Sequence, residues 1–252
     1  MTRLFVVTGQ EQGGDLAAEE IARALAATES GFVLGVATGS SPESTWRALA
    51  ARKPPVDLSA VRAFALDEYW DLPADHPESY KEVIHRQITR PLGLNPQLVR
   101  VPGDDGKDLR AAQRYEQAIR AAGGIDLQVL GIGRNGHIGF NEPGSSLDSR
   151  CRVTQLSEET RKANSRFFAT VEDVPAYCIT QGIGTITEAR RLLLLAYGPE
   201  KAQALAAALE GPVTSAVPAS ALQLHPDLTV VADESAASQL RRTGSYGAAG
   251  TS

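Results

Sequence analysis

Asp67 and His137 are the residues of this sequence best suited to move protons, and the chemistry they suit is general acid–base catalysis. His137 has Asn135 two residues before it and Glu142 five after it. An imidazole beside a carboxylate gains a fixed tautomer and a raised pKa, which suits proton shuttling. The other histidines read as structural: His76 and His225 each precede a proline, and His85 lies in a helix-like stretch. Asp67 follows the apolar run ending at Leu66 and is followed by Glu68. A carboxylate pair at a strand's carboxyl end can cap the next element or act as a base, and both readings stand.

A second group of residues suits an anion. Thr38-Gly39-Ser40-Ser41-Pro42 leads small residues into a helix start, where free backbone N–H groups and the positive end of the helix dipole make a phosphate cradle. An ordinary βα turn with serine capping reads this loop equally well. Lys201 and Arg166 are the cations available to balance the charge, although either alone reads as a solvated helix residue. Gly131-Ile132-Gly133-Arg134-Asn135-Gly136 matches a dinucleotide fingerprint. It lies mid-chain, however, and runs into Gly139-Phe140-Asn141-Glu142-Pro143-Gly144, which does not continue as a helix. Those glycines instead let the backbone approach a small ligand.

The elements that must position these residues are legible as an alternation. Apolar runs at Leu4–Val7, Phe32–Ala37, Val61–Leu66, Ile125–Ile132, Ala176–Thr180, Leu192–Tyr197 and Leu228–Ala232 lack in/out alternation, as strands buried on both faces of a parallel sheet do. Between them, Leu16–Ala27, Glu43–Arg52, Glu78–Thr89, Leu109–Ala121, Glu158–Phe168 and Glu200–Leu209 carry helical periodicity. The alternation predicts an α/β fold, a doubly wound, mainly parallel sheet with helices on both faces (Rossmann-like). One such domain is expected over 1–240, with 241–252 as a frayed tail. Ligands collect beyond the carboxyl ends of the strands in such sheets. Loops beginning at Thr38, Asp67, Gly133, Gln181 and Gly198 all follow apolar runs, which predicts one site on one sheet edge.

Composition narrows the function classes. The chain has 252 residues, 42% of them apolar and 22% charged, with a formal net charge of −5. That balance points to neither nucleic acid nor an anionic membrane as a partner. No stretch approaches the ~20 apolar residues that span a bilayer, and the start does not read as a secretory signal. Cys151 and Cys178 lack metal-ligand spacing, and Cys178 reads as a buried free thiol. A reduced, cytoplasmic protein without a metal site is the expectation.

The chain resembles the glucosamine-6-phosphate deaminases (glucosamine/galactosamine-6-phosphate isomerase family). The stretches that carry the resemblance are Thr38–Pro42, Leu66–Tyr69, His76–Tyr80, Gly131–Pro143, Ala163–Phe168 and Leu222–Pro226. Gly136-His137-Ile138-Gly139-Phe140-Asn141-Glu142-Pro143 is the most specific of them. The resemblance implies an enzyme of the hydrolase/isomerase kind that converts glucosamine 6-phosphate to fructose 6-phosphate and ammonia, through an enediol-like intermediate and with no cofactor. It implies Asp67 as the base at C2 and C1, His137 as the ring-opening group, and Asn135 and Glu142 as its tuning partners. It places the substrate phosphate on Gly39, Ser40 and Ser41 with Arg166 and Lys201. The segment from Glu158 to Ala176 is the expected lid. The family includes hexamers as well as smaller, unregulated members, so a homo-oligomer remains open. Ser145, Ser146 and Arg152 match the effector-binding residues of regulated members, but Thr154 stands where those carry Lys, so strong allosteric activation is not expected. Competing activities are a galactosamine-6-phosphate deaminase, a 6-phosphogluconolactonase and a non-catalytic sugar-phosphate sensor. For the last, no DNA-binding segment is apparent.

Overall fold

The computed structural model describes residues 2–29 and 31–241, so all of the tail expected over 241–252 except Arg241 lies outside the described residues. In chain order the strands are β1 (Thr2–Val7), β2 (Val33–Val36), β3 (Arg62–Ala65), β4 (Asp67–Tyr69), β5 (Val99–Arg100), β6 (Leu127–Gly131), β7 (Arg152–Gln155), β8 (Tyr177–Thr180), β9 (Leu192–Ala196) and β10 (Leu228–Asp233). The helices are α1 (Gln10–Ala26), α2 (Ser40–Ala51), α3 (Tyr80–Ile84), α4 (Ala111–Ala121), α5 (Glu158–Asn164), α6 (Ile183–Thr187), α7 (Ala202–Glu210) and α8 (Glu234–Ala237).

A seven-stranded sheet runs in the order β1-β10-β9-β6-β2-β3-β5, with every pairing parallel. This is the doubly wound architecture that the alternation implied. The central strands are apolar on both faces because both faces are covered: Leu193, Leu194 and Leu195 are fully buried, as are Val230 and Val231. Trp46 of α2 packs into the same core, and its indole N–H donates to Ala37 O at 3.1 Å. That bond ties α2 to the loop that precedes it.

The sheet is not the whole scaffold. Ala176–Thr180, expected as another buried parallel strand, forms β8 of a separate antiparallel sheet ordered β4-β8-β7. Apolar content alone does not distinguish a parallel from an antiparallel neighbour. Asp67–Tyr69, expected as a loop, continues from β3 into this second sheet, with Asp67 opposite Thr180. The two sheets meet where Gln181 donates its backbone N–H to Leu66 O at 2.7 Å and its side-chain amide to Ala65 O at 2.9 Å. The loop from Gln181 to Thr185 therefore does not line the ligand edge, as expected of it. Gln181 is fully buried, and Gly182 packs against the Ser149 backbone.

Around the small sheet lies a second apolar cluster of Tyr69, Phe140, Leu156, Val174 and Cys178. Cys178 is buried there as a free thiol. Among the described residues no helix is long and apolar enough to cross a membrane. No group of three or more His, Cys, Asp or Glu among them is arranged to hold a metal ion.

Candidate active site

The carboxylate pair at the end of β3 divides its labour. Glu68 accepts backbone N–H groups from Tyr69 at 2.7 Å, Tyr80 at 2.9 Å and Lys81 at 2.9 Å. Two of those donors open α3, so Glu68 caps that helix. Lys107 faces it while donating to Tyr69 O and Leu72 O at 2.9 and 2.7 Å. Asp67 has no such cationic partner. It is only 7% exposed, and burial first, then the neighbouring Glu68 charge, push its carboxyl up to about 8, against a lowering pull from the Phe140 N–H. A carboxylate that is buried, unpaired and titrating near neutrality has the properties of a general base.

His137 is held from three sides. β6 ends at Gly131, and Gly133 N donates to His137 O at 2.9 Å, closing a tight turn. The imidazole lies so close to Gly133 that a Cβ there would fall 2.2 Å from the ring, so any larger residue would displace it. His137 Nδ1 lies 2.8 Å from Asn135 Oδ1, and Asn135 Nδ2 donates to Glu142 Oε2 at 2.9 Å. The carboxylate requires the amide's donor side, which turns the Asn135 oxygen toward the ring. Nδ1 therefore carries the hydrogen, and Nε2 is left with its lone pair. Glu142 Oε2 is 3.7 Å from Nδ1, so Glu142 acts on the ring mainly through Asn135.

The sequence predicts a raised histidine pKa, and the structure reverses the sign. Burial lowers the His137 pKa and outweighs the raising charge of Glu142, and Lys201 lowers it further. The carboxylate partner is real, but desolvation of the imidazolium is the larger effect. His137 is thus poised as a neutral shuttle.

Two residues of this site were not anticipated. Ser157 Oγ donates to Glu142 Oε1 at 3.0 Å, and Thr160 Oγ1 donates to the same oxygen. Ser157 also caps α5 by accepting from Thr160 N at 3.1 Å. The first turn of the expected lid is thereby fastened to the carboxylate that tunes His137. Ser157 ahead of an acidic pair is a legible capping signal, but nothing local reveals that its hydroxyl turns to Glu142.

The Gly139 turn brings the two chemistries together. Gly139 adopts φ 53°, and a Cβ on it would lie 3.3 Å from Asp67 Oδ2 and 3.2 Å from Thr180 Oγ1. Asp67 thus sits against the backbone two residues past His137. Asn141, fully buried, holds this turn by donating to Ile138 O at 2.9 Å and Gln181 O at 2.8 Å.

The anion-directed residues form an adjoining group. Gly39, at φ 101°, is the N-cap of α2 and supplies no side-chain cap, so Ser40, Ser41 and Pro42 open the helix without a capping side chain. Gln10 Nε2 donates to Ser40 O at 2.5 Å, bracing the loop from α1. Lys201 lies in the turn after β9. Burial lowers its ammonium pKa, Glu200 raises it, and Arg134 and Arg166 lower it. Arg166 is exposed, with its guanidinium 4.7 Å over the Phe167 ring. Lys201 acts on His137 as well, which links the anion group to the acid–base group. Arg134 belongs to this cationic group and was missed in the sequence, where it reads only as one residue between the glycines of a loop.

A family model described as glucosamine-6-phosphate isomerases/6-phosphogluconolactonase matches residues 10–231. The chain belongs to this family. A glucosamine-6-phosphate deaminase of Bifidobacterium longum (strain DJO10A) is 49% identical over 258 residues, covering 98% of this chain and 95% of the relative. One from Streptomyces avermitilis is 52% identical over 242 residues, with 94% and 92% covered. Among solved structures, a monomeric glucosamine-6-phosphate deaminase superposes with a TM-score of 0.90 at 39% identity, over 94% of this chain and 99% of that one. The 6-phosphogluconolactonase of Trypanosoma cruzi superposes at 0.76 with 22% identity, over 96% and 97% of the two chains. At that identity the likeness shows the family's fold alone.

Replacing Glu142 with Gln keeps the shape of this arrangement and removes its charge. Of the two carboxylates that raise the His137 pKa, Glu142 and Glu159, the stronger loses its charge, so that pKa is expected to fall further and kcat to drop about ten- to a hundredfold. Steady-state kinetics across pH check this. An unchanged kcat and acid limb would show that Glu142 serves only to fasten α5.

Proposed function

We propose that this protein isomerises and deaminates glucosamine 6-phosphate, giving fructose 6-phosphate and ammonia. The observation that carries the reading is the unpaired, buried Asp67 against the Gly139 turn, beside the Glu142–Asn135–His137 chain. A lactonase has no carbon-bound proton to remove and so needs no base at C2. The full-length relatives named above carry the deaminase name.

In this reading the phosphate rests on the α2 terminus at Gly39, Ser40 and Ser41, with Lys201 and Arg166 as charged donors. His137 Nε2 takes the proton of the anomeric hydroxyl and returns it to the ring oxygen, which opens the sugar. Asp67 removes the hydrogen from C2, and the electron pair moves to give an enol-type intermediate. Asp67 then returns a proton to C1, leaving an imine at C2. Water adds there and ammonia departs. The side chains thus do isomerase work, and water enters only after the internal shift, so hydrolase is a poor description of their role.

The deciding experiment follows ammonia and fructose 6-phosphate release from glucosamine 6-phosphate and from galactosamine 6-phosphate, beside 6-phosphogluconolactone hydrolysis. Release of both products from the gluco epimer is expected. Lactone hydrolysis alone would overturn the reading.

The effector residues matched in the sequence are engaged otherwise. Arg152 donates to Asn141 Oδ1 at 2.8 Å and Ser145 Oγ at 3.0 Å, which makes it part of the support for the Gly139 turn. Activity curves with and without N-acetylglucosamine 6-phosphate are expected to superimpose. A large leftward shift would contradict this.

A further inference from the structure

Arg134 has no part in the reaction drawn above, yet the sheet places it at the centre of the anion-directed residues. β2, β6 and β9 are neighbours in the large sheet, with β6 in the middle. Their carboxyl ends lead, in turn, to Gly39–Ser41, Arg134 and Lys201. The approach is close: a Cβ on Gly131 would lie 4.0 Å from Ser41 Cβ, so the chain just ahead of Arg134 runs against the phosphate loop.

Arg134 is exposed and makes no hydrogen bond or ion pair among the described residues. Elsewhere, arginines such as Arg47, Arg114, Arg150 and Arg190 bond carboxylates directly. Lys201 is instead held beside two unpaired like charges, Arg134 and Arg166, with Glu200 as the opposing charge. Grouped cations repel one another, and a multiply charged anion set among them relieves that repulsion.

We propose that Arg134 is a specificity-determining residue that recognises the dianionic form of the substrate's phosphate ester. The proposal rests on the functional reading above and deepens it. Arg134 binds the phosphate equally before and during the reaction, because the reacting carbons are served by Asp67 and His137. Its removal therefore acts on KM and leaves kcat alone.

The test compares wild type with Arg134→Met, Arg134→Lys and Arg62→Met. Arg62 is an exposed residue that opens β3 at the opposite edge of the sheet, so its variant controls for the loss of one charge. Two quantities are read: KM and kcat for glucosamine 6-phosphate, and the affinity for inorganic phosphate by calorimetry. Arg134→Met is expected to raise KM and weaken phosphate binding by about tenfold each, with kcat within about twofold. Arg134→Lys recovers most of the loss, and Arg62→Met matches wild type. The wild-type KM should climb as pH falls through about 6, where the ester takes up its second proton, and this climb should be shallower in Arg134→Met. An active Arg134→Met enzyme with unchanged KM and phosphate affinity overturns the proposal, as does a loss confined to kcat. If wild type releases no ammonia, the functional reading fails instead. The calorimetric comparison then still decides the role of Arg134.

Discussion

Replacing Asp67 with Asn is expected to abolish turnover and, at the same time, to stabilise the folded protein at alkaline pH. The first effect follows from the loss of the base. A placed acid–base group contributes roughly 10²–10⁴-fold, and in the proposed reaction Asp67 serves both proton transfers at carbon, so kcat should fall by at least about 10³-fold with substrate affinity nearly intact. The second effect follows from why Asp67 titrates near 8. Its carboxyl is raised from an ordinary 3.8 to about 8, chiefly by burial. Between those two pH values the folded protein holds a proton that the unfolded chain has released. Stability therefore falls as pH rises from about 4 to about 8, and the full penalty is present above that. At ~1.4 kcal/mol per unit the penalty amounts to several kcal/mol. An amide cannot ionise, so Asp67→Asn escapes it. The melting temperatures of variant and wild type should converge near pH 4 and separate by about 5 °C or more near pH 9. Equal melting temperatures at pH 9 would show that Asp67 ionises freely and is not the strained base argued here. The wild-type kcat/KM should rise with pH through the same region, because only the ionised carboxylate accepts the carbon-bound proton.

His137→Gln separates ring opening from carbon chemistry. The neutral imidazole, with Nε2 free, is assigned to the cyclic sugar alone, while Asp67 acts on the open chain. The variant should lose about 10²-fold or more in kcat on glucosamine 6-phosphate. Run in reverse with fructose 6-phosphate, ammonia and deuterated solvent, it should keep most of its solvent exchange at C1, whereas Asp67→Asn should lose that exchange. Mass spectrometry of the recovered sugar reads both outcomes. Equal loss of turnover and exchange in His137→Gln would mean that His137 takes part in the carbon step, and would remove the division of roles.

The contrast between Asp67 and Glu68 shows how far local sequence reaches. The run ending at Leu66 identified a strand, and the position after it identified a ligand edge. Neither indicated which of two adjacent carboxylates is free. That choice depends on Tyr80 and Lys81, twelve and thirteen residues further on, whose N–H groups claim Glu68. Likewise the spacing of Asn135, His137 and Glu142 pointed to an interacting set. The sign of the histidine's shift needed the burial of its ring and the proximity of Lys201, which arrives from a strand more than fifty residues later.

What the sequence determined by itself, then, is the alternating α/β scaffold and the gathering of polar loops at the carboxyl ends of its strands. Hydrophobic periodicity is local, and burial on both faces of a strand is written into the strand itself. What the tertiary structure alone decided is the small antiparallel sheet beside Asp67, the absence of a cationic partner for Asp67, the lowered pKa of His137 and the place of Arg134 after the strand between those that lead to Gly39–Ser41 and to Lys201. Each of these is set by groups distant in the chain, through desolvation and through charges whose separation exists only once the strands have been ordered.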